Sequence, residues 1–341
     1  MAGHRALSGR VVAHTPDKTP TRQQERHMKS VAFNEFGDSS VLEVIDRDIP
    51  VPGAGEVVVK VTAAPVNPTD LLMRDGKQAA LMTELQPPYI AGMEFSGHVH
   101  ACGEGVELAA RLPVIGVTNP RRPEGGAHTE YVCVPAGQVA EVPEGTDLVT
   151  AATVPMNALT AMLSLELVAL EAGQVLLVTG GAGMLGGSVL QLAHQAGLKV
   201  ATNAAEADAD LVRSLGADVV LPRSEGLSEA FKAEFGEADG LIDGALIGDH
   251  VAHLVKPGAT AVSLRKSNPI TDSRLNCTYV SVLDGMARPE MVAAVAEHIA
   301  KGTLKGRVAP DGVFAFTDAR AAFEMAEANK ARGRVVLSFA D

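Results

Sequence analysis

The sequence predicts an α/β protein in which a β-rich domain is split around an inserted, doubly wound parallel-sheet domain. Three observations predict it. Short β-branched runs broken by Gly and Pro fill the chain from Met28 to about Pro143. From Gln174 onward, strand-like runs alternate with helical segments of roughly ten residues, the pattern of right-handed βαβ crossovers. After a last helical segment the chain returns to a strand, GRVVLSF, at Gly333–Phe339. The expected limits are 28–150 with 302–341 for the β-rich domain and 151–301 for the inserted one. A length of 341 residues, 46% of them hydrophobic, suits two cores.

Residues 1–27 are basic, contain Ser and Thr, and lack the apolar centre of a secretory signal. They are expected to be a disordered extension, with structure starting at Met28. EVVVKVTAAPV, Glu56–Val66, alternates and is β-branched, so it reads as a strand. GHVHACGEGV and AHTEYVCVP read as further strands. At Val149 the texture changes, and TAATVPMNALTAMLSLELVAL is helix-rich. QVLLVTG, LKVATN, DVVLP and TAVSLR are the expected parallel strands. DADLVRSLG and GLSEAFKAEF are helices between them, and HVAHLVKPG and PEMVAAVAEHIAKG continue the series. NCTYVSVL, Asn276–Leu283, reads as an edge strand.

The net charge of −12 and the lack of a basic stripe argue against a nucleic-acid partner. No apolar run is long enough to span a bilayer, which needs about 20 residues. Cys102, Cys133 and Cys277 have no metal or disulfide spacing, which fits a reducing, cytoplasmic setting.

VLLVTGGAGMLGGSVLQLAHQAG, Val175–Gly197, carries the main chemical signal. A strand ends in Gly180, Gly183 and Gly186, and a helix follows. Glycines at this spacing allow a tight turn, close approach of a diphosphate, and close packing of helix on strand. The N–H groups that open the helix meet the anion. Gly180, Ala182, Gly183, Met184, Leu185 and Gly186 are therefore expected to bind a dinucleotide cofactor. The tip of the next strand, Thr202 and Asn203 followed by Ala204 and Ala205, carries no acid to hold a ribose 2′-hydroxyl. That favours NADPH, with NADH kept open because Glu206 stands close by. Arg223 is either a partner of the 2′-phosphate or a solvated loop charge.

VLEVIDRDIPVPGAGEVVVKV, VNPTDLLMRDG, AGMEFSGHVHACGEGV, GGAHTEYVCVP, AATVPMNALTA, LVRSLGADVV and GRVVL, together with the glycine segment, resemble the medium-chain dehydrogenase/reductase superfamily. Within it the chain is most similar to the zinc-independent quinone oxidoreductase-like branch. The resemblance runs from Met28 to the C-terminus. It implies a β-rich catalytic domain of alcohol dehydrogenase type, a distorted barrel, around a Rossmann-type domain, and a homodimer joined through the sheet edge.

The resemblance also places the site. Zinc-dependent relatives hold the metal at the positions of Asn67, Met93 and Met156, none of which supplies their N or S donors here. No metal is therefore expected. Asn67 and Asn157 are candidate catalytic residues, their amides bonding a substrate carbonyl or serving only the local structure. Asp70 is expected to pair within its own loop. Thr160, Leu264, Arg265 and Ser267 match positions near the nicotinamide. Arg334 matches a basic residue able to reach cofactor phosphate, or is a surface charge.

Several quinone reductases have a Tyr where this chain has Leu72. Leu71, Leu72, Met73, Met93 and Met156 either line an apolar substrate site or belong to the core. The leading expectation is an NADPH-dependent, zinc-independent oxidoreductase acting on a small apolar quinone or α,β-unsaturated carbonyl compound. A zinc-free alcohol or ketone dehydrogenase, and an NAD(P)H-binding sensor or structural protein without turnover, remain open.

Overall fold

The computed structural model describes residues 27–328 and 332–340. The extension expected over residues 1–27 lies outside them apart from His27. Met28 sits in the first strand, β1 (His27–Ala32), which pairs with β2 (Glu43–Asp48) in a small antiparallel sheet.

The β-rich part follows. β3 (Glu56–Val66) is buried along most of its length and carries the centre of a larger sheet. Helix α1 (Pro68–Arg74) leaves it directly, with Pro68 pre-set at its first position. The sheet continues with β4 (Glu94–Cys102), β5 (Pro113–Val117), β6 (Tyr131–Pro135) and β7 (Val139–Glu141). β4 crosses β3 so closely that a Cβ on Gly97 would lie 2.1 Å from the Lys60 carbonyl oxygen. Only glycine permits that approach.

Two helices, α2 (Leu148–Ala151) and α3 (Pro155–Val168), lead into the second part. α3 is apolar nearly all round and most of its residues are buried, as expected of a helix packed on several sides. One continuous core joins its Leu159 and Leu163 to Ile115 and Val117 on one side and to Leu176 and Val262 on the other.

The alternating series then runs β8 (Val175–Thr179), α4 (Met184–Gln195), β9 (Lys199–Asn203), α5 (Ala209–Ser214), β10 (Val219–Leu221), α6 (Leu227–Phe235), β11 (Ala238–Asp243), α7 (Gly248–Val251), β12 (Val255–Ser263) and β13 (Asn276–Tyr279). These strands form a parallel sheet in the order β10-β9-β8-β11-β12-β13. The order reverses between β8 and β11, so a crevice opens beyond their C-terminal ends.

Helices α8 (Val282–Met286) and α9 (Pro289–Ala300) return the chain to the β-rich part. There β14 (Val308–Ala315), α10 (Ala319–Glu327) and β15 (Arg334–Ser338) complete the larger sheet. Its order is β14-β15-β3-β4-β5-β7, with β6 also on β3. The α/β architecture expected from the sequence is therefore present, with the strands of its parallel sheet lying in chain order between β1–β7 and the β14–β15 pair.

Two local expectations change. NCTYVSVL is not one strand: β13 stops at Tyr279, and Val282 opens α8 with Ser281 before it. The run is apolar enough for either state, and tertiary packing decides. HVAHLVKPG is not one helix: α7 ends at Val251, a single 3₁₀ turn follows, and β12 already starts at Val255.

Candidate active site

The glycine turn lies where the strand order reverses. Gly180 has φ of 73°, in the left-handed region that glycine tolerates. A Cβ on Gly186 would lie 2.2 Å from the Gly180 carbonyl oxygen, so this glycine lets α4 pack on β8. Gly183 is different. It is exposed, and a Cβ there would meet only the Gly180 oxygen, at 3.2 Å. Its openness leaves room for a ligand at the first turn of α4, whose leading N–H groups lack helical partners. Ala182, Met184 and Leu185 are half-buried around it.

The floor beside the turn is held by a buried pair at the ends of β8 and β11. Thr179 Oγ1 donates to Asp243 Oδ1 at 2.5 Å and accepts from Ala245 N at 2.9 Å. Asp243 also accepts from the backbone of Ile247 and Gly248. The loop after β11 is thereby tied down next to the turn.

β9 ends at Asn203, where the sequence places it, but the two tip side chains turn inward. Asn203 Oδ1 accepts from Gly180 N at 2.8 Å, and Thr202 Oγ1 accepts from Gly181 N at 3.0 Å. Both residues are buried. Their side chains shape the turn instead of standing free at the strand tip, a direction that composition cannot encode. Arg223 is exposed just beyond β10, the outer neighbour of β9. Glu206 is exposed after β9.

A second polar group lies buried between α1, β4 and α3. Asn67 Nδ2 donates to Glu94 Oε1 at 3.0 Å, and Met156 N donates to Glu94 Oε2 at 2.8 Å. Burial pushes the Glu94 carboxyl up to about 7, against the opposing pull of Arg334. Asp70 accepts from Asn67 N and Gly92 N, so it ties α1 to the start of β4, as expected of a loop-pairing acid. Burial raises its pKa too, with His128 the strongest opposing influence.

Arg334 holds its guanidinium buried and is not a surface charge. Its Nη2 donates to Asn157 Oδ1 at 2.9 Å, and burial lowers its pKa while Glu94 and Asp70 oppose that shift. Asn67 Oδ1, an acceptor, and Arg334 Nε, a donor, are both buried without partners. Both Asn67 and Asn157 have thus given part of their amide to protein partners. Asn67 retains a free carbonyl oxygen and, with one Nδ2 bond made to Glu94, a second amide N–H.

Thr160 is half-buried on α3, and its hydroxyl donates to Met156 O at 2.8 Å. Leu264, Arg265 and Ser267 follow β12 at the same end of the sheet as the glycine turn; Leu264 and Arg265 are half-buried and Ser267 is exposed. Of the apolar candidates, Met73, Met93 and Met156 are core, whereas Leu71 and Leu72 are half-buried. Among the described residues, no cluster of three or more His, Cys, Asp or Glu side chains is placed to hold a metal.

Two residues that sequence reasoning passed over stand in this region. Glu94 lies in the AGMEFSGHVHACGEGV segment, of which the sequence singles out only Met93. Arg307 donates to the carbonyls of Ala182 and Gly183 from a segment with no motif of its own.

Comparison with known proteins agrees with this fold. Residues 53–144 match the alcohol dehydrogenase GroES-like domain, and residues 215–337 match the zinc-binding dehydrogenase model. The chain is 30% identical over 323 residues to an NADPH-dependent alkenal/one oxidoreductase, chloroplastic, of Arabidopsis thaliana, covering 92% of this chain and 80% of that one. It belongs to the medium-chain dehydrogenase/reductase superfamily, in its quinone oxidoreductase-like branch.

A mycobacterial quinone oxidoreductase has a similar structure, with a TM-score of 0.78 at 26% identity, over 91% of this chain and 99% of that one. A mycobacterial structure solved in complex with NADPH matches with the same score and identity, over 91% and 100%. The name of the second matched model refers to zinc. In this member of the superfamily the three positions noted above remain Asn67, Met93 and Met156, an amide and two thioethers.

Proposed function

We propose that this chain is an NADPH-dependent oxidoreductase that reduces a small apolar quinone or α,β-unsaturated carbonyl compound without a metal. The observation that carries the reading is the glycine turn at the reversal point of the parallel sheet, with Gly183 open toward the crevice. The relatives named for alkenal and quinone reduction support the substrate class. Asn67, Met93 and Met156 at the usual ligand positions support chemistry without zinc.

The residues fit a dinucleotide. Gly180, Ala182, Gly183, Met184, Leu185 and Gly186 would hold its diphosphate. Thr160, Leu264, Arg265 and Ser267 would border the nicotinamide, and Thr202 and Asn203 would act through the turn they shape. Arg223 is the assigned contact for the 2′-phosphate. A bound nicotinamide supplies hydride.

The chain's own contribution is position and charge. The Thr160 hydroxyl is committed to the α3 backbone, so its oxygen is left to accept an amide N–H. Arg334, held by Asn157, sets a guanidinium near Glu94, and the field of such a cation would favour developing negative charge on a substrate oxygen. Half-buried Leu71 and Leu72 offer apolar surface. In the overall reaction the acceptor gains a hydride at an electron-poor carbon and a proton from solvent. No side-chain proton donor is required, which suits the absence of a Tyr at Leu72.

We further assign the larger sheet to a catalytic domain and the parallel sheet to a cofactor domain, with a homodimer formed along β13. The unbridged Cys102, Cys133 and Cys277 support a cytoplasmic setting. Among the described residues no helix is long and apolar enough to cross a membrane.

Titration of the protein with NADPH and NADH, followed by nicotinamide fluorescence, tests the cofactor. Tighter NADPH binding is expected, and binding of neither would overturn the reading. Incubation with NADPH and an alkenal, a quinone or a saturated ketone then tests the substrate class. Turnover of the first two and not the third is expected; turnover of the ketone alone would favour a dehydrogenase of alcohols.

A further inference from the structure

The chain between α9 and β14 is laid along the outer face of α4 by two glutamines. Gln195 Nε2 donates to Thr303 O at 2.5 Å, and Gln191 Oε1 accepts from Lys305 N at 2.9 Å. This anchoring delivers Arg307 to the N-terminal end of α4. The backbone of Arg307 belongs to the β-rich side: its carbonyl accepts from Arg334 N, and its N–H donates to Thr153 Oγ1. Its side chain belongs to the other side. Nη2 donates to Ala182 O at 2.8 Å and lies 3.2 Å from Gly183 O, and Nη1 is buried with no partner.

The charge around it is unbalanced. Burial lowers the pKa of Arg307, and the nearby guanidiniums of Arg332 and Arg334 lower it further, with Asp208 as the opposing charge. Asp208 is already engaged, because its Oδ1 accepts from Arg332 Nε at 2.6 Å. Arg334 has Glu94 and Asp70 as its own opposing charges, whereas Arg307 and Arg332 share one committed carboxylate. An anion bound there would relieve their mutual repulsion and satisfy the free donor.

We propose that Arg307 binds the cofactor's diphosphate: its free Nη1 takes a phosphate oxygen at the first turn of α4 while its Nη2 stays on the turn. The proposal rests on the cofactor reading above and adds a residue that reaches the ligand from the β-rich side. A guanidinium suits the task because its rigid planar fork keeps one nitrogen on the turn and presents the other to the ligand, a spacing that a single ammonium nitrogen does not reproduce. Since NADPH and NADH share the diphosphate, Arg307 strengthens both alike and does not select between them.

The test compares wild type, Arg307→Met and Arg307→Lys. Affinities for NADPH and NADH are measured by fluorescence titration. The melting temperature of each cofactor-free protein is measured alone and with inorganic pyrophosphate. Arg307→Met keeps much of the apolar stem, so the seam retains its packing.

The expected result is a loss of about ten- to a hundredfold in affinity for both cofactors. Pyrophosphate should stabilise wild type and not Arg307→Met, and Arg307→Lys should fall between. Unchanged affinity in Arg307→Met overturns the proposal. A loss confined to NADPH also overturns it, since Arg307 would then read the 2′-phosphate. If Arg307→Met does not fold, Arg307→Lys decides: affinity equal to wild type for both cofactors overturns the proposal, and a matched loss supports it. Failure of wild type to bind either cofactor is a separate outcome and removes the cofactor reading itself.

Discussion

The side-chain amide of Asn67 donates to Glu94 across 3.0 Å of buried space, joining the start of α1 to the start of β4. The bond uses one of the two N–H donors of the Asn67 amide, and Met156 N donates to the other carboxyl oxygen. The group is thus a buried, hydrogen-bonded support. Its members lie on three separate elements.

Removing the amide should uncouple those elements. Asn67→Ala leaves Glu94 Oε1 buried without its donor, which costs about 1–3 kcal/mol. The expected outcome is a chemical-denaturation midpoint lowered accordingly, with a smaller change in NADPH affinity than in turnover. A variant as stable as wild type would show that the bond does not support the fold.

Glu94 should give the protein a characteristic pH response. Its folded pKa is raised to about 7 from an ordinary carboxylate value of 4.5. Between those values the folded state holds a proton that the unfolded state has released. The associated stabilisation is therefore fully present below about pH 4.5 and is lost as pH rises through 7. Glu94→Gln cannot titrate. The difference in unfolding free energy between wild type and Glu94→Gln should shift against wild type by on the order of 3 kcal/mol from pH 5 to pH 8. Buried Asp70 drives the same trend in both proteins, and its repulsion of Glu94 is part of the difference that Glu94→Gln removes. A difference that does not vary with pH would contradict the raised pKa.

Two glycines of the turn should respond differently to the same change. A Cβ at Gly186 would be forced to 2.2 Å from the Gly180 oxygen, whereas one at Gly183 has a single neighbour at 3.2 Å. Gly186→Ala should lower the melting temperature and abolish cofactor binding. Gly183→Ala should melt close to wild type yet bind NADPH several-fold more weakly, because the methyl group projects where the diphosphate approaches. Calorimetry and fluorescence titration check the pair, and equal NADPH affinity in Gly183→Ala and wild type would contradict the role of this glycine.

What could be read in the sequence was local. Gly180, Gly183 and Gly186 announce their turn because strand, turn and helix are contiguous. The end of β9 at Asn203 follows from the same local pattern. The inward aim of Thr202 and Asn203 was not legible, since the turn they brace lies more than 20 residues earlier. Glu94 meets Asn67 and Met156 only after β4 and α3 have packed. Arg307 meets Ala182 across 125 residues, in a segment whose composition marks nothing. The break between Tyr279 and Val282 was illegible for a different reason: its apolar residues suit a strand and a helix equally.

The most direct measurement is product analysis after reaction of an α,β-unsaturated ketone with NADPH deuterated at the transferable position. The account predicts a saturated ketone with one deuterium on the β-carbon and the carbonyl intact. An allylic alcohol with deuterium on the carbonyl carbon would contradict it.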